Sequence, residues 1–158
     1  MESPSLKHLL LLTGGYAGGR LETLTRAVAE GAREFADEVE IRERFALDAG
    51  LDDLLWCHGL LIGTPEKFGY MAGAVKDFFD RTFYPSEGKV AALPYAMFVS
   101  AGNDGTGAVS SVERIVTGYR WNRIAEPVIV VGAPVDAALA SCRELGQTMA
   151  AGLALGIF

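Results

Sequence analysis

Thiols, imidazoles, surplus positive charge and long apolar runs are all scarce in this chain, and each scarcity excludes a class of function. There are two cysteines in 158 residues, Cys57 and Cys142, too far apart in sequence for a CxxC or metal-ligand pattern. Both sit among apolar neighbours, so the expectation is two buried free thiols rather than a disulfide framework or a thiolate metal centre. Two histidines, His8 and His58, offer no Ser–His–Asp or Cys–His arrangement, and neither is assigned a catalytic or metal-binding role. Lysine and arginine number 14 against 20 aspartates and glutamates, a net charge of −6. No basic block exists to neutralise phosphates, which argues against a nucleic-acid binder. It leaves room for an anionic cofactor held by backbone N–H groups. No apolar run reaches the roughly 18 residues of a membrane span, and no leader pattern opens the chain. The expected setting is therefore the cytoplasm, with no membrane partner.

Half of the residues are hydrophobic and 22% are charged, a balance far from disorder. The length suits one domain over residues 1–158. Short apolar runs alternate with amphipathic stretches throughout. Strands are expected at 9–12, 38–45, 60–62, 95–100 and 127–131. The first helix carries Leu21, Leu24, Val28, Ala32 and Phe35 inward, with Glu22, Arg26, Glu30 and Glu34 outward. A short helix over 51–57 crosses into the central strand. Beyond it, Met71, Val75, Phe78 and Phe79 share one helical face and Lys76, Asp77, Asp80 and Arg81 the other; residues 82–89 read as a connection. Val112, Ile115, Val116 and Tyr119 mark the next helix, and Pro134 is placed to open the last one, which buries Leu139, Cys142, Leu145, Met149 and Leu153. Strictly alternating strands and helices imply a parallel sheet with right-handed crossovers and helices on both faces.

Three loops then follow the first, third and fourth strands and lie at one edge of that sheet, where open α/β folds bind ligands. The first, 13–20, reads TGGYAGGR, with four glycines for tight turning and close backbone approach. Its spacing is not the GxGxxG dinucleotide fingerprint, and no Walker A lysine follows. The second runs through GTPEKFGYM from Gly63. The third reads AGNDGTG from Ala101, and Asp104 is the expected cap of the helix that follows. Glu66 is expected to face solvent.

The segment 63–81, GTPEKFGYMAGAVKDFFDR, resembles the GTP-x-[RK]-FG-x-M-x-G-x-x-K-x-F-x-D-R segment of the flavodoxin-like superfamily, in its NAD(P)H:quinone-reductase and multimeric-flavodoxin branch. The resemblance covers nearly the whole chain. It implies an α/β flavodoxin-like three-layer sandwich with a five-stranded parallel sheet, order 2-1-3-4-5, and FMN as cofactor. Carried over residue by residue, Thr64, Pro65, Lys67, Phe68 and Gly69 fall where the family wraps the isoalloxazine. Thr13, Gly14, Gly15, Tyr16, Gly18, Gly19 and Arg20 fall where it holds the phosphate. Arg20 stands where a final threonine is common, and its guanidinium fork fits an oxyanion. Ser100, Ala101, Gly102 and Asn103 correspond to the loop on the dimethylbenzene or ribityl side.

What the resemblance implies is an FMN-dependent oxidoreductase that passes electrons from NAD(P)H to a quinone-like or other small acceptor, with no side chain as a covalent catalyst. It also implies a homo-oligomer, for which residues 84–85 and the pair Tyr119 and Trp121 are the candidate surface. A flavodoxin-type electron carrier and a flavin-free descendant of the fold stay open beside it.

Overall fold

The computed structural model describes residues 5–158. Its elements, in chain order, are β1 (Lys7–Thr13), α1 (Arg20–Arg33), β2 (Val39–Phe45), α2 (Leu51–Trp56), β3 (Gly59–Pro65), α3 (Gly73–Ser86), β4 (Pro94–Ala101), α4 (Thr106–Tyr119), β5 (Asn122–Arg123), β6 (Val128–Val131) and α5 (Asp136–Ala154). All strand pairings of the sheet are parallel and the order is β2-β1-β3-β4-β5, with β6 also on β4. This is the flavodoxin-like three-layer α/β sandwich expected from the sequence.

The fifth position in the sheet is divided. Asn122–Arg123 pairs with Pro94–Tyr95, and Val128–Val131 pairs with Phe98–Ala101. Pro127, just ahead of β6, has no N–H to give to a ladder. The single strand expected at 127–131 is therefore only the second half of that edge.

Successive residues of the central strands point to opposite faces, so each strand feeds two cores. Leu10, Leu12, Leu60, Ile62, Tyr95 and Met97 pack with Val75, Phe78, Phe79, Val112 and Val116 of α3 and α4. Leu9, Leu11, Leu61, Ala96 and Phe98 pack with Leu24, Val28, Cys142, Leu145 and Met149 of α1 and α5. Both cysteines are buried and free. Burial pushes the Cys57 thiol up to about 12 and that of Cys142 to about 11, so both behave as small apolar side chains.

Three expectations are corrected here. The α3 helix continues to Ser86 with Pro85 inside its last turn, because Thr82 and Ser86 are buried and Phe83 meets Tyr119 edge-on at 5.1 Å. Phe35 lies beyond the end of α1 and is half-buried. Tyr119 and Trp121 are 5% and 7% exposed, members of an aromatic cluster with Phe79 and Tyr95, so neither offers a surface to a second copy. Among the described residues, no helix is long and apolar enough to cross a membrane.

Candidate functional site

The carboxyl ends of β1, β3 and β4 carry the three loops, and the parallel register brings them level: Thr13 lies beside Gly63, and Pro65 beside Ser100. Gly14 N–H donates to the Gly63 carbonyl at 2.9 Å, and Glu66 N–H donates to the Ser100 carbonyl at 2.8 Å. The sheet ladder thus extends into the loops and ties each to its neighbour.

The first loop is built by backbone. Gly19 N–H donates to the Tyr16 carbonyl at 3.1 Å, and Gly18 holds φ +78°, a left-handed conformation that glycine adopts without steric cost. The Gly18 N–H donates to the Glu22 carboxylate, which also accepts from Arg26 at 3.0 Å. The Gly18 contact first, then Arg26, holds the Glu22 carboxyl below its ordinary range. A side chain at Gly14 would meet Val75 at 2.6 Å, and one at Gly15 would meet Leu21 at 2.8 Å. Those two glycines let the loop lie flat on α1 and α3. Arg20 opens α1, is exposed, and among the described residues makes no side-chain hydrogen bond or salt bridge.

The second loop is a tight hairpin. Lys67 and Tyr70 exchange backbone hydrogen bonds at 2.8 and 3.0 Å, while Phe68 (φ +52°) and Gly69 (φ +71°) form the two-residue turn. Positive φ at both central positions is the type I′ geometry. Phe68 is fully exposed at 107%. Thr64 is completely buried, its hydroxyl accepting from Ala72 N–H and donating to the Pro65 carbonyl, both at 2.9 Å. It shapes the loop from beneath. Ser111 of α4 accepts from Met71 N–H at 3.0 Å, and a Cβ on Gly107 would lie 2.2 Å from the Gly69 carbonyl oxygen. The hairpin is thereby pressed onto the start of α4.

Glu66 is not solvent-facing as expected. It is half-buried, and its carboxylate accepts from the N–H groups of Gly105 and Ala108 at 3.1 and 3.2 Å. Those are free amides at the start of α4, whose preceding residue, Gly105, has no side chain to cap them. Asp104, the expected cap, instead accepts from the Thr106 hydroxyl at 2.5 Å. The sequence signal for Glu66 was indirect: a helix beginning after glycine, with a carboxylate on a neighbouring loop.

These loops enclose a cleft of about 240 Å³ lined by Gly15, Tyr16, Gly19, Arg20, Leu21, Pro65, Glu66, Lys67, Ser100, Ala101 and Gly102. Nine of the sequence-predicted residues meet there. Thr13 lines instead a neighbouring cavity of about 440 Å³ with Glu22, Thr25 and Phe45, three residues that sequence reasoning did not place near the first loop. Gly14 and Thr64 lie buried under the cleft, Phe68 and Gly69 stand exposed at the hairpin tip, Gly18 is exposed in the loop and Asn103 is exposed at the rim. Lys67 Nζ sits 5.7 Å from the centre of the Tyr16 ring, across the mouth from the second loop to the first.

The donor set suits a phosphorylated planar ligand: backbone amides and a free guanidinium at one end, an ammonium and exposed aromatic rings at the other. A protein-family pattern described as NADPH-dependent FMN reductase matches residues 34–134, a span holding the second and third loops. Among curated relatives, a quinone-type NAD(P)H dehydrogenase of Acidithiobacillus ferrooxidans is 29% identical over 147 residues, covering 80% of this chain and 69% of its own. A flavodoxin of Aquifex aeolicus is 27% identical over 153 residues, with 87% and 82% covered. A solved flavodoxin from the Archaea superposes with a TM-score of 0.80 at 18% identity, covering 92% of this chain and 98% of its own. A WrbA-like flavodoxin from Agrobacterium tumefaciens gives 0.72 at 17%, covering 96% and 99%. With a family match across most of the sheet, and the matched residues forming two of the three walls of the cleft, the chain belongs to the NADPH-dependent FMN reductase family on the flavodoxin-like fold.

Proposed function

We propose that this protein binds FMN in the cleft between its three loops and acts as an oxidoreductase, passing electrons from NAD(P)H to a quinone-like or other small acceptor. The observation that carries this reading is the convergence of Gly15, Tyr16, Gly19 and Arg20 with Pro65–Lys67 and Ser100–Gly102 on one opening above β1, β3 and β4. Bound there, FMN would supply the chemistry, accepting hydride from a nicotinamide and releasing two electrons to the acceptor. The protein's own residues hold and orient. The Gly18 and Gly19 N–H groups are already given to Glu22 and Tyr16, so the uncapped amides at the start of α1 would face the phosphate, with Arg20 as its charged partner. Lys67 would face the negative charge that reduction brings, and Phe68 would give the ring an apolar wall. Tyr16 would close the opposite side. No side chain needs to form a bond to substrate.

The test is reconstitution. Addition of FMN should quench its fluorescence saturably, and the loaded protein should oxidise NADH or NADPH in the presence of a benzoquinone. Absence of FMN binding would overturn the proposal in favour of a flavin-free descendant of the fold. The similarity to the Aquifex flavodoxin over most of both chains favours a second reading, an electron carrier served by a protein partner. A loaded protein that is inert to both nicotinamides would decide for that alternative. For the homo-oligomer, the remaining candidate surface is Tyr84 and Pro85, both exposed at the end of α3; light scattering at micromolar concentration should show a dimer, and a monomer counts against it.

A further inference from the structure

We propose that Glu66 is a positioning residue of the flavin cleft, and that its charge lowers the cleft's preference for reduced over oxidised FMN. The inference rests on the FMN reading and extends it to a residue that stands outside the predicted phosphate and ring contacts. Three observations carry it. First, Glu66 is bonded at both ends of the third loop: its N–H to the Ser100 carbonyl at 2.8 Å, and its carboxylate to Gly105 and Ala108 N–H at 3.1 and 3.2 Å. The loop that forms one wall is thus anchored, at its start and its finish, to a single residue of the neighbouring wall. Second, among the described residues nothing else closes α4 in this way, because Gly105 has no side chain and Asp104 is turned to Thr106. Third, Glu66 itself lines the cleft between Pro65 and Lys67.

The electrostatic consequence follows from place. The start of a helix carries partial positive charge, and here Glu66 neutralises it rather than leaving it to the ligand. Two electrons and one proton added to oxidised FMN leave one extra negative charge on the reduced ring. A carboxylate on the wall opposes that charge, while Lys67, next in sequence, favours it. The pair sets the balance between the two redox forms.

The experiment uses the full chain loaded with FMN and compares wild type, Glu66→Gln and Glu66→Ala. The two amides donate to different carboxylate oxygens, so glutamine removes the charge and keeps an acceptor for one of them, while alanine removes the charge and both acceptors. Dissociation constants for oxidised and anaerobically reduced FMN give the ratio, and hydrogen exchange of the Gly105 and Ala108 amides in ligand-free protein reports the anchoring. Glu66→Gln should bind reduced FMN about tenfold tighter relative to oxidised, a rise of about 30 mV for a two-electron couple. Glu66→Ala should bind both forms more weakly and exchange both amides faster. An unchanged ratio in Glu66→Gln overturns the electrostatic role, and unchanged exchange in Glu66→Ala overturns the anchoring. Wild type that binds no FMN overturns the FMN reading and the redox role together, while the exchange measurement still decides the anchoring.

Discussion

Phe68 combines two features that stability alone does not select: a left-handed backbone on a residue with a Cβ, and a ring wholly in solvent. The conformation costs roughly 1–2 kcal/mol for an L-residue, against the 0.5–1 kcal/mol that glycine loses in flexibility. The exposed ring returns no burial. Phe68→Gly should therefore leave the urea midpoint unchanged or raise stability by up to about 1 kcal/mol, while FMN affinity falls; a clear loss of stability would mean that the ring is structural. Arg20 is the complementary case, a charge without a side-chain partner among the described residues. Arg20→Ala should weaken FMN by about tenfold, the worth of a charge-assisted hydrogen bond, and leave riboflavin unaffected; equal effects on both ligands would remove Arg20 from the phosphate. The glycines of the first loop could be read from the sequence because tight turns have residue signatures. Glu66 could not, since its partners lie 39 and 42 positions away and only the parallel register of β3 and β4 brings them together.

The backbones of α1 and α5 come close together, and glycine makes it possible. A Cβ on Gly146 would fall 2.0 Å from the Val28 carbonyl oxygen, and one on Gly31 2.0 Å from that of Arg143. Both obstacles are backbone, which cannot rotate away. Gly146→Ala should cost about 1–3 kcal/mol in a denaturant titration, the usual penalty for overpacking, with the slope unchanged; a shift under a few tenths would show that the helices slide freely. The inward stripes of both helices were legible as 3.6-residue periodicity, but their tight crossing was not, because glycine leaves no hydrophobic mark. The same limit explains α3. Pro85 and the polar residues near it read as a connection, whereas the buried Thr82 and Ser86 and the contact of Phe83 with Tyr119 keep the chain helical to Ser86. Local sequence lost to tertiary packing there.

At the scale of the whole molecule, the end of the sheet opposite the cleft is closed by a layered stack. The Arg42 guanidinium lies 3.8 Å from the centre of the Trp56 ring, and the His8 ring lies on Trp56 at 4.2 Å and 6°. His58 accepts the His8 N–H on Nδ1 at 2.9 Å, which requires that nitrogen unprotonated. Burial first, then the charges of His8 and Lys7, pushes the His58 imidazole down. The unfolded chain thus takes up this proton before the folded one does. Its contribution to stability is complete above the unfolded value, about 6.5, and is lost as pH falls from there through the folded value. Thermal midpoints should decline over that range, and His58→Asn should flatten the decline; an unaltered profile would exclude His58 as its source. The parallel sheet was readable because alternation of strands and helices leaves few topologies, and its order came with the family resemblance, while the division of its last strand was not readable, since Asn122 and Arg123 are exposed and polar.

That division has a consequence for crowded solutions. An intruding chain seeking to add itself to the open margin of the sheet finds two residues, a gap, then four residues led by Pro127, rather than a long flat template. The opposite margin, β2, presents Glu40, Glu43 and Arg44 to solvent. Short and charged borders are how proteins resist fibril growth, so aggregation of this one should begin from the unfolded chain and not from the native sheet.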